Sequence, residues 1–276
     1  MSESMTSDIL VIGATGKTGK RVVERLEARG ICPRHGTRRS PIPFDWEATE
    51  TWAASLNGIQ SAYVAYSPDL AVPSAHAVIA DFVKAAEAAG LRRVVLLSER
   101  NEERAQACEK LVMDSTLEWT ILRPSWFMQN FNEGGFLESV MSGEVTAPDS
   151  GAPEPWVDLD DVADVAVAAL LEDGHASEVY EITGSELLTW SEAVGLISKV
   201  TTREVVYRTI TPQEFESILI AAGFPDEDAV FVATLVAEIL DGKNAMTSDG
   251  LQRALGREPR TFAQFAKAAH ADGSWV

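Results

Sequence analysis

The stretch that most restricts what this chain can fold into is Gly13-Ala14-Thr15-Gly16-Lys17-Thr18-Gly19. It follows an apolar run, Ile9-Leu10-Val11-Ile12, and opens into residues 20–27, where Val22, Val23 and Leu26 recur at helical spacing. Strand, glycine turn and helix in that order form the context of a dinucleotide site. A turn this tight needs residues without a Cβ. The helix start beyond it offers N–H groups and the positive end of a dipole to a pyrophosphate. The alternative is a structural βα turn that holds no ligand.

Further along the chain, apolar strand-like runs alternate with helical ones, the pattern of an α/β fold with a parallel sheet. A second strand and its exit are expected within residues 31–39, and Phe44-Asp45-Trp46, after Pro41-Ile42-Pro43, reads as a short third strand. Thr51, Trp52, Ala53 and Leu56 begin a helical segment. Residues 61–66 form a fourth strand, stopped at Ser67-Pro68-Asp69. Its carboxyl end, Ala65, Tyr66 and Ser67, is placed beside a ligand, because ligands of open α/β sheets lie outside the carboxyl ends of the strands. An amphipathic helix over 74–89 stops at Gly90, and a fifth strand runs from Val94 to Ser98. A polar helix over 102–113 and a sixth strand over 118–124 follow. Residues 132–155 read as a loop-and-helix excursion. An apolar helix over 162–171, capped by aspartates, leads to a strand over 178–183. The rest is mainly helical (187–200, 212–222, 226–240 and 261–269) with one strand over 205–210.

Charge separates the possible ligands. The 276 residues carry a formal charge of −19, which disfavours nucleic acid, since affinity for a phosphate backbone comes largely from Lys and Arg. A polyanionic cofactor must instead meet a local basic island. An NAD-preferring site places an acidic residue about 20 positions beyond the glycines; here Arg38 and Arg39 occupy that region. Two guanidinium groups match a 2′-phosphate in charge and fork geometry, so NADP(H) is expected over NAD(H). The competing reading is two solvated arginines on a loop.

No apolar run has the roughly 18 residues of a membrane span, and Met1 to Asp8 have neither a basic nor an apolar leader pattern. The expectation is a cytoplasmic protein with no membrane partner. Cys32 and Cys108 lack metal spacing, and His35, His76, His175 and His270 are scattered, so neither a disulfide nor a metal is expected. The run Asp158, Asp160, Asp161, Asp164 is expected to cap and solvate a helix. Oligomeric state is not legible.

Taken together, several motifs resemble the NmrA-like branch of atypical short-chain dehydrogenases. They are the G-x-x-G-x-x-G turn, Arg38-Arg39, Phe44-Asp45-Trp46 with Thr51-Trp52, the block running from Trp119 to Phe131 (WTILRPSWFMQNF), Leu187-Leu188-Thr189-Trp190 and Arg260-Thr261-Phe262. Within that branch the likeness is to the ergot-alkaloid reductases of the festuclavine synthase and agroclavine dehydrogenase type. The resemblance covers almost the whole chain, and the Trp119–Phe131 block is its most specific part.

The resemblance implies a Rossmann-type doubly wound parallel sheet holding NADPH and a small, mainly helical C-terminal substrate part. The expected division is 1–133, with 156–184 returning, against 134–155 and 185–276. Related enzymes reduce iminium ions, quinones or activated carbonyls. The implied cofactor contacts are residues 13–19, Arg38, Arg39, Asp45, Trp46, Ala65, Tyr66 and Ser67, with Ser98, Pro124, Ser125, Trp126 and Phe127 at the nicotinamide end. A hydrophobic small-molecule substrate would meet Ser98, Trp126, Phe127, Asn130, Phe131 and Trp156. Trp126, Phe127 and Phe131 have the alternative of being core.

Ordinary short-chain dehydrogenases draw a proton from the tyrosine of Tyr-x-x-x-Lys. Tyr63, Tyr66, Tyr180 and Tyr207 all lack a lysine four residues on. An iminium or quinone needs little enzymic acid; a ketone would need a substrate hydroxyl or water; with no acceptor the fold would only sense NADP(H) as a regulator. Ser98 is the one surviving member of the usual catalytic set, and Lys110 is as well explained by a solvated helix face.

Overall fold

A computed structural model of the chain describes residues 8–276. The reading of a leaderless N-terminus therefore falls, save for Asp8, outside the described residues. The chain divides into two compact units. The first comprises Met1–Pro124, Leu159–Ile182 and Asp249–Arg257, and the second Ser125–Asp158, Thr183–Ser248 and Glu258–Val276.

The first unit is built on six parallel strands, β1 (Ile9–Ile12), β2 (Arg34–Gly36), β3 (Ser61–Val64), β4 (Arg93–Leu97), β5 (Glu118–Pro124) and β7 (Glu178–Ile182). Their order across the sheet is β2-β1-β3-β4-β5-β7. The chain steps from β1 to β2, then returns past β1 to β3, so the order reverses between β1 and β3. Such a reversal opens a crevice at the carboxyl ends of the two strands. β1 and β3 are buried at every residue, as continuous apolar strands covered on both faces must be.

One face of the sheet packs Leu10, Ile12, Ala62, Val64, Val94, Leu96 and Ile121 against α2 (Trp52–Leu56), α3 (Ala75–Ala88) and α4 (Glu103–Met113). α1 (Lys17–Ala28) packs on α6 (Leu159–Leu171), which lies against β3, β4 and β5. Arg93 Nη1 closes the end of α6 by donating to the carbonyls of Leu170 at 3.1 Å and Glu172 at 3.0 Å, groups a helix end leaves unpaired.

Phe44-Asp45-Trp46 is not a strand, so the expected fourth strand is the third. The backbone there is committed to local turns. Phe44 N–H donates to Thr37 O at 3.0 Å, the Trp52 indole donates to Asp45 O at 2.7 Å, and Pro41 and Pro43 have no N–H for a ladder. The aspartates of α6 also depart from expectation, because they are not left to solvent. Asp160 pairs with Arg21 at 3.2 Å and Arg25 at 2.9 Å, and the fully buried Asp161 pairs with Arg257 at 2.7 Å.

A helix that sequence periodicity did not reveal, α10 (Gly250–Leu255), also belongs to this unit. A Cβ on Gly250 would lie 2.0 Å from Glu181 O, so glycine there lets the helix meet β7 backbone to backbone. The expected assignment of 185–276 to the other part is corrected at these residues for that reason. Likewise Ser125–Glu133 and Trp156–Asp158 fall in the second unit rather than the first.

The second unit holds α5 (Leu137–Ser142), α7 (Trp190–Thr201), α8 (Pro212–Ala221), α9 (Asp226–Ile239) and α11 (Phe262–Ala271). Two strands, β6 (Glu144–Ala147) and β8 (Val206–Thr209), pair in parallel. The excursion over 132–155 thus contains a strand as well as a helix; four residues of mixed polarity carry too little signal to be read as one. Its core is aromatic, with Trp156 and Trp190 crossing edge to face at 4.8 Å and Phe131 5.2 Å from Trp156. Three helices start with a reciprocal capping box, Thr189 with Glu192, Thr211 with Glu214, and Thr261 with Gln264.

Candidate functional site

The glycine turn sits at the carboxyl end of β1, beside the reversal of strand order. Gly13 has φ +79°, a left-handed conformation that a side chain disfavours. Its N–H donates to Gly36 O at 3.0 Å, and Gly16 N–H donates to Gly13 O at 2.9 Å. A Cβ on Gly19 would fall 2.1 Å from Gly13 O. The third glycine is therefore fixed by closure of the turn onto the first turn of α1. That first turn carries no acidic residue and no side-chain cap, which leaves the positive end of the helix dipole uncompensated. Thr15 and Gly16 are exposed, Gly13 and Lys17 half-buried, and Ala14 and Thr18 buried.

Around this turn the structure gathers most of the residues expected to hold a cofactor's phosphate and adenine end. Ala65 is adjacent, since a Cβ on Gly13 would come 3.2 Å from Ala65 Cβ. Tyr66, next in the chain, packs on Trp46 with ring centroids 5.0 Å apart, and Ser67 is exposed. Asp45 folds back on its own turn, its Oδ1 accepting from Glu47 N–H at 3.1 Å. Arg38 and Arg39 follow β2 on a loop pinned by Thr37, whose Oγ1 accepts from Arg39 N–H at 3.3 Å. Both arginines are exposed, and among the described residues neither guanidinium has an acidic partner.

At the ends of β4 and β5 the arrangement differs from expectation. Ser98 is 3% exposed, and its Oγ donates to Glu109 Oε1 at 2.5 Å. Arg123 grips both oxygens of the same carboxylate, from Nε at 2.9 and 3.1 Å. The hydroxyl expected to meet substrate or nicotinamide is consumed by a buried ion pair, and Ser98 is corrected to a structural strand-end residue. Pro124 ends β5, buried.

In the second unit, Ser125 Oγ donates to Pro155 O, while Trp126, Phe127 and Asn130 are half-buried. Phe131 is 0% and Trp156 1% exposed, both inside the aromatic core. They fill that core and present no face to a substrate, which corrects their expected role.

Sequence reasoning missed a group of acids on the first unit's carboxyl edge. Asp69, beyond β3, lies close enough to Glu99, beyond β4, for its charge to bear on that carboxyl. Burial, and then the charges of Asp69, Glu102 and Glu109, push the Glu99 carboxyl up to about 9. The signal available was modest, an acidic residue directly after Ser98. Among the described residues no group of three His, Cys, Asp or Glu side chains could hold a metal ion, and no helix is long and apolar enough to cross a membrane.

Comparison with known proteins agrees with this geometry. Residues 13–173 match a family described as NAD(P)H-binding. A Bacillus subtilis (strain 168) protein named as an uncharacterized oxidoreductase, YesF, is 30% identical over 95% of each chain. Festuclavine synthase II of Penicillium roqueforti (strain FM164) is 27% identical, covering 94% of this chain and 97% of its own. Among solved structures, the Citrobacter sp. triphenylmethane reductase complexed with NADP(H) superposes with a TM-score of 0.78 at 22% identity, over 95% of this chain and 99% of that one.

Proposed function

The chain belongs to the NAD(P)H-binding family of oxidoreductases, and from that premise we propose that it is an NADPH-dependent reductase of a hydrophobic, aromatic or polycyclic small molecule. The observation that carries the reading is the pair Arg38 and Arg39, exposed and without acidic partners on a chain of net charge −19, beside the glycine turn. Cations on so acidic a protein concentrate an anion at that point. Their forked donors suit a 2′-phosphate.

The first unit's residues fit the dinucleotide. The turn closed by Gly13 and Gly19 and the uncapped start of α1 would hold the diphosphate. Arg38 and Arg39 would take the 2′-phosphate, and Trp46 and Tyr66 would wall the adenine. The bound cofactor supplies a hydride. The protein then contributes position, holding donor and acceptor carbons about 3–3.5 Å apart. A polycyclic acceptor is supported by the relative named for making festuclavine and by the half-buried Trp126 and Phe127. The Trp119–Phe131 block is the part of the sequence that most resembles that type.

The reading is tested by titrating NADPH and NADP against intrinsic fluorescence and then offering quinone, iminium and aromatic ketone acceptors. A reductase binds NADPH and oxidises it with at least one acceptor class. A sensor of redox state binds the oxidised form at least as well and turns over none, and that result would replace the reductase reading.

A further inference from the structure

The bases along α1 and the acids that open α6 repeat at the same interval. Arg21 and Arg25 are four residues apart on α1, and Asp160 and Asp164 four residues apart on α6, so each pair projects from one face of its helix. The two faces meet. Arg21 Nε donates to Asp160 Oδ1 at 3.2 Å, Arg25 Nε donates to Asp164 Oδ1 at 2.5 Å, and Arg25 Nη2 stands 2.9 Å from Asp160 Oδ1. α6 is itself held in place, because Arg257 reaches the fully buried Asp161 at 2.7 Å and Asp164 at 2.6 Å. Asp160 and Asp161 also lie in the first turn of α6, where the helix dipole favours a carboxylate.

One bond of this network reaches the glycine turn. The second arm of the Arg21 guanidinium, Nη1, donates to Lys17 O at 2.9 Å. Lys17 is the first residue of α1 and follows Gly16, whose N–H donates to Gly13 O. Nε and Nη1 belong to one rigid plane, so the place of Asp160 sets the place of the Lys17 carbonyl. That carbonyl shares a planar peptide unit with the Thr18 N–H, and fixing one orients the other. The Thr18 N–H is among those that the start of a helix leaves without an intrahelical partner and offers to a diphosphate. The Asp160 side chain is 42% exposed, and an ion pair so open to water adds little to stability. Its effect on the turn is of another kind.

We propose that Asp160 and Arg21 are positioning residues for the cofactor's diphosphate. The carboxylate fixes the guanidinium, and the guanidinium fixes the Lys17–Thr18 peptide with its N–H toward the ligand. The proposal rests on the reading that places the diphosphate at this turn. Neither side chain touches the cofactor; both act through the backbone. Position and charge make opposite predictions here. A chain of net charge −19 that loses a carboxylate near the site of a polyanion should, by charge alone, bind that anion as well or better. If the carboxylate instead holds the turn, its loss weakens binding.

Titrations of NADPH and of adenosine 2′-phosphate test this, since the second ligand keeps the phosphate offered to Arg38 and Arg39 but has no diphosphate. Asp160→Asn should weaken NADPH about tenfold, the lower end for a hydrogen bond to a charged group, and leave adenosine 2′-phosphate within about twofold. Arg21→Lys keeps the charge, but its single ammonium cannot reproduce the planar fork between Asp160 and Lys17 O, so it should show the same split. Glu24→Gln removes a negative charge from the exposed side of α1 and should leave NADPH unchanged or slightly tighter. NADPH binding by Asp160→Asn as tight as wild type, or tighter, overturns the proposal. Equal losses for both ligands also overturn it, because they mark general damage to the fold. A wild-type protein that binds NADPH no better than adenosine 2′-phosphate overturns the placement of the diphosphate and the proposal with it. Only binding is measured, so these failures are separate from a failure to find an acceptor.

Discussion

Ser98 donates its hydroxyl to Glu109 at 2.5 Å, and that bond decides what the serine can do. The accepting carboxylate is 1% exposed and is neutralised by Arg123, so the hydroxyl completes a buried ionic cluster. Ser98→Ala should then behave as a stability variant. A hydrogen bond to a charged group contributes about 1.5–3 kcal/mol, which a thermal or denaturant melt will show as a clear loss. The catalytic rate should fall by no more than about threefold. A loss of about a hundredfold in rate with an unchanged melt would return Ser98 to the chemistry.

The two arginines after β2 make a selectivity prediction. Replacing Arg38 and Arg39 together by Ala should weaken NADPH by roughly ten- to a hundredfold or more, the value of one or two charge-assisted contacts to a phosphate. NADH, which has no 2′-phosphate, should lose little. Equal losses in isothermal titrations of both cofactors would show that the pair lies on a solvated loop away from the ligand.

The glycine turn predicts a contrast between two glycines. Gly19→Ala places a carbon 2.1 Å from Gly13 O, so the turn must open; NADPH binding should be lost and the fold weakened by more than about 3 kcal/mol. Gly30→Ala meets nothing within 4 Å and carries only its φ of +76°, a cost of about 1–2 kcal/mol with cofactor affinity kept. Comparable affinities for NADPH in the two variants would contradict the tight turn.

Glu99 also shapes stability against pH. Its carboxyl ionises near 4.3 in an unfolded chain and at about 9 in the fold. Between those values the folded state binds more protons than the unfolded one, so this group makes stability fall as pH rises, and below and above the window its slope vanishes. Glu99→Gln removes the penalty. The variant should melt higher than wild type at pH 8 and much closer to it at pH 5; a constant difference at both would contradict the raised ionisation.

Much of this architecture is legible in the sequence, because the buried strands announce themselves as apolar runs. Ile9–Ile12 and Val94–Leu96 are covered on both faces and have no polar residue to blur the pattern. The failures share a physical cause, in that contacts distant in sequence overrode local pattern. Phe44 looks like a strand residue, yet its own N–H is taken by Thr37 O and the Asp45 carbonyl by the Trp52 indole. The aspartates of α6 look solvated until Arg21, Arg25 and Arg257 reach them from elsewhere in the chain. Gly250 looks like a loop glycine, and only the backbone of Glu181 explains it. The same holds at the candidate site. The glycine turn and the arginines are local features and are legible, whereas Asp69 and Glu99 are thirty residues apart, and the charge of one bears on the other only through the fold.

The central claim is that this chain moves a hydride from NADPH to an aromatic or polycyclic acceptor. It is tested most directly by incubating the protein with NADPH deuterated at nicotinamide C4, separately in each of the two C4 positions, and an aromatic ketone or iminium panel, then reading the products by mass spectrometry. The account predicts a product carrying one deuterium on the reduced carbon from one of the two labelled cofactors. Saturating NADPH binding with no deuterium in any product would contradict it.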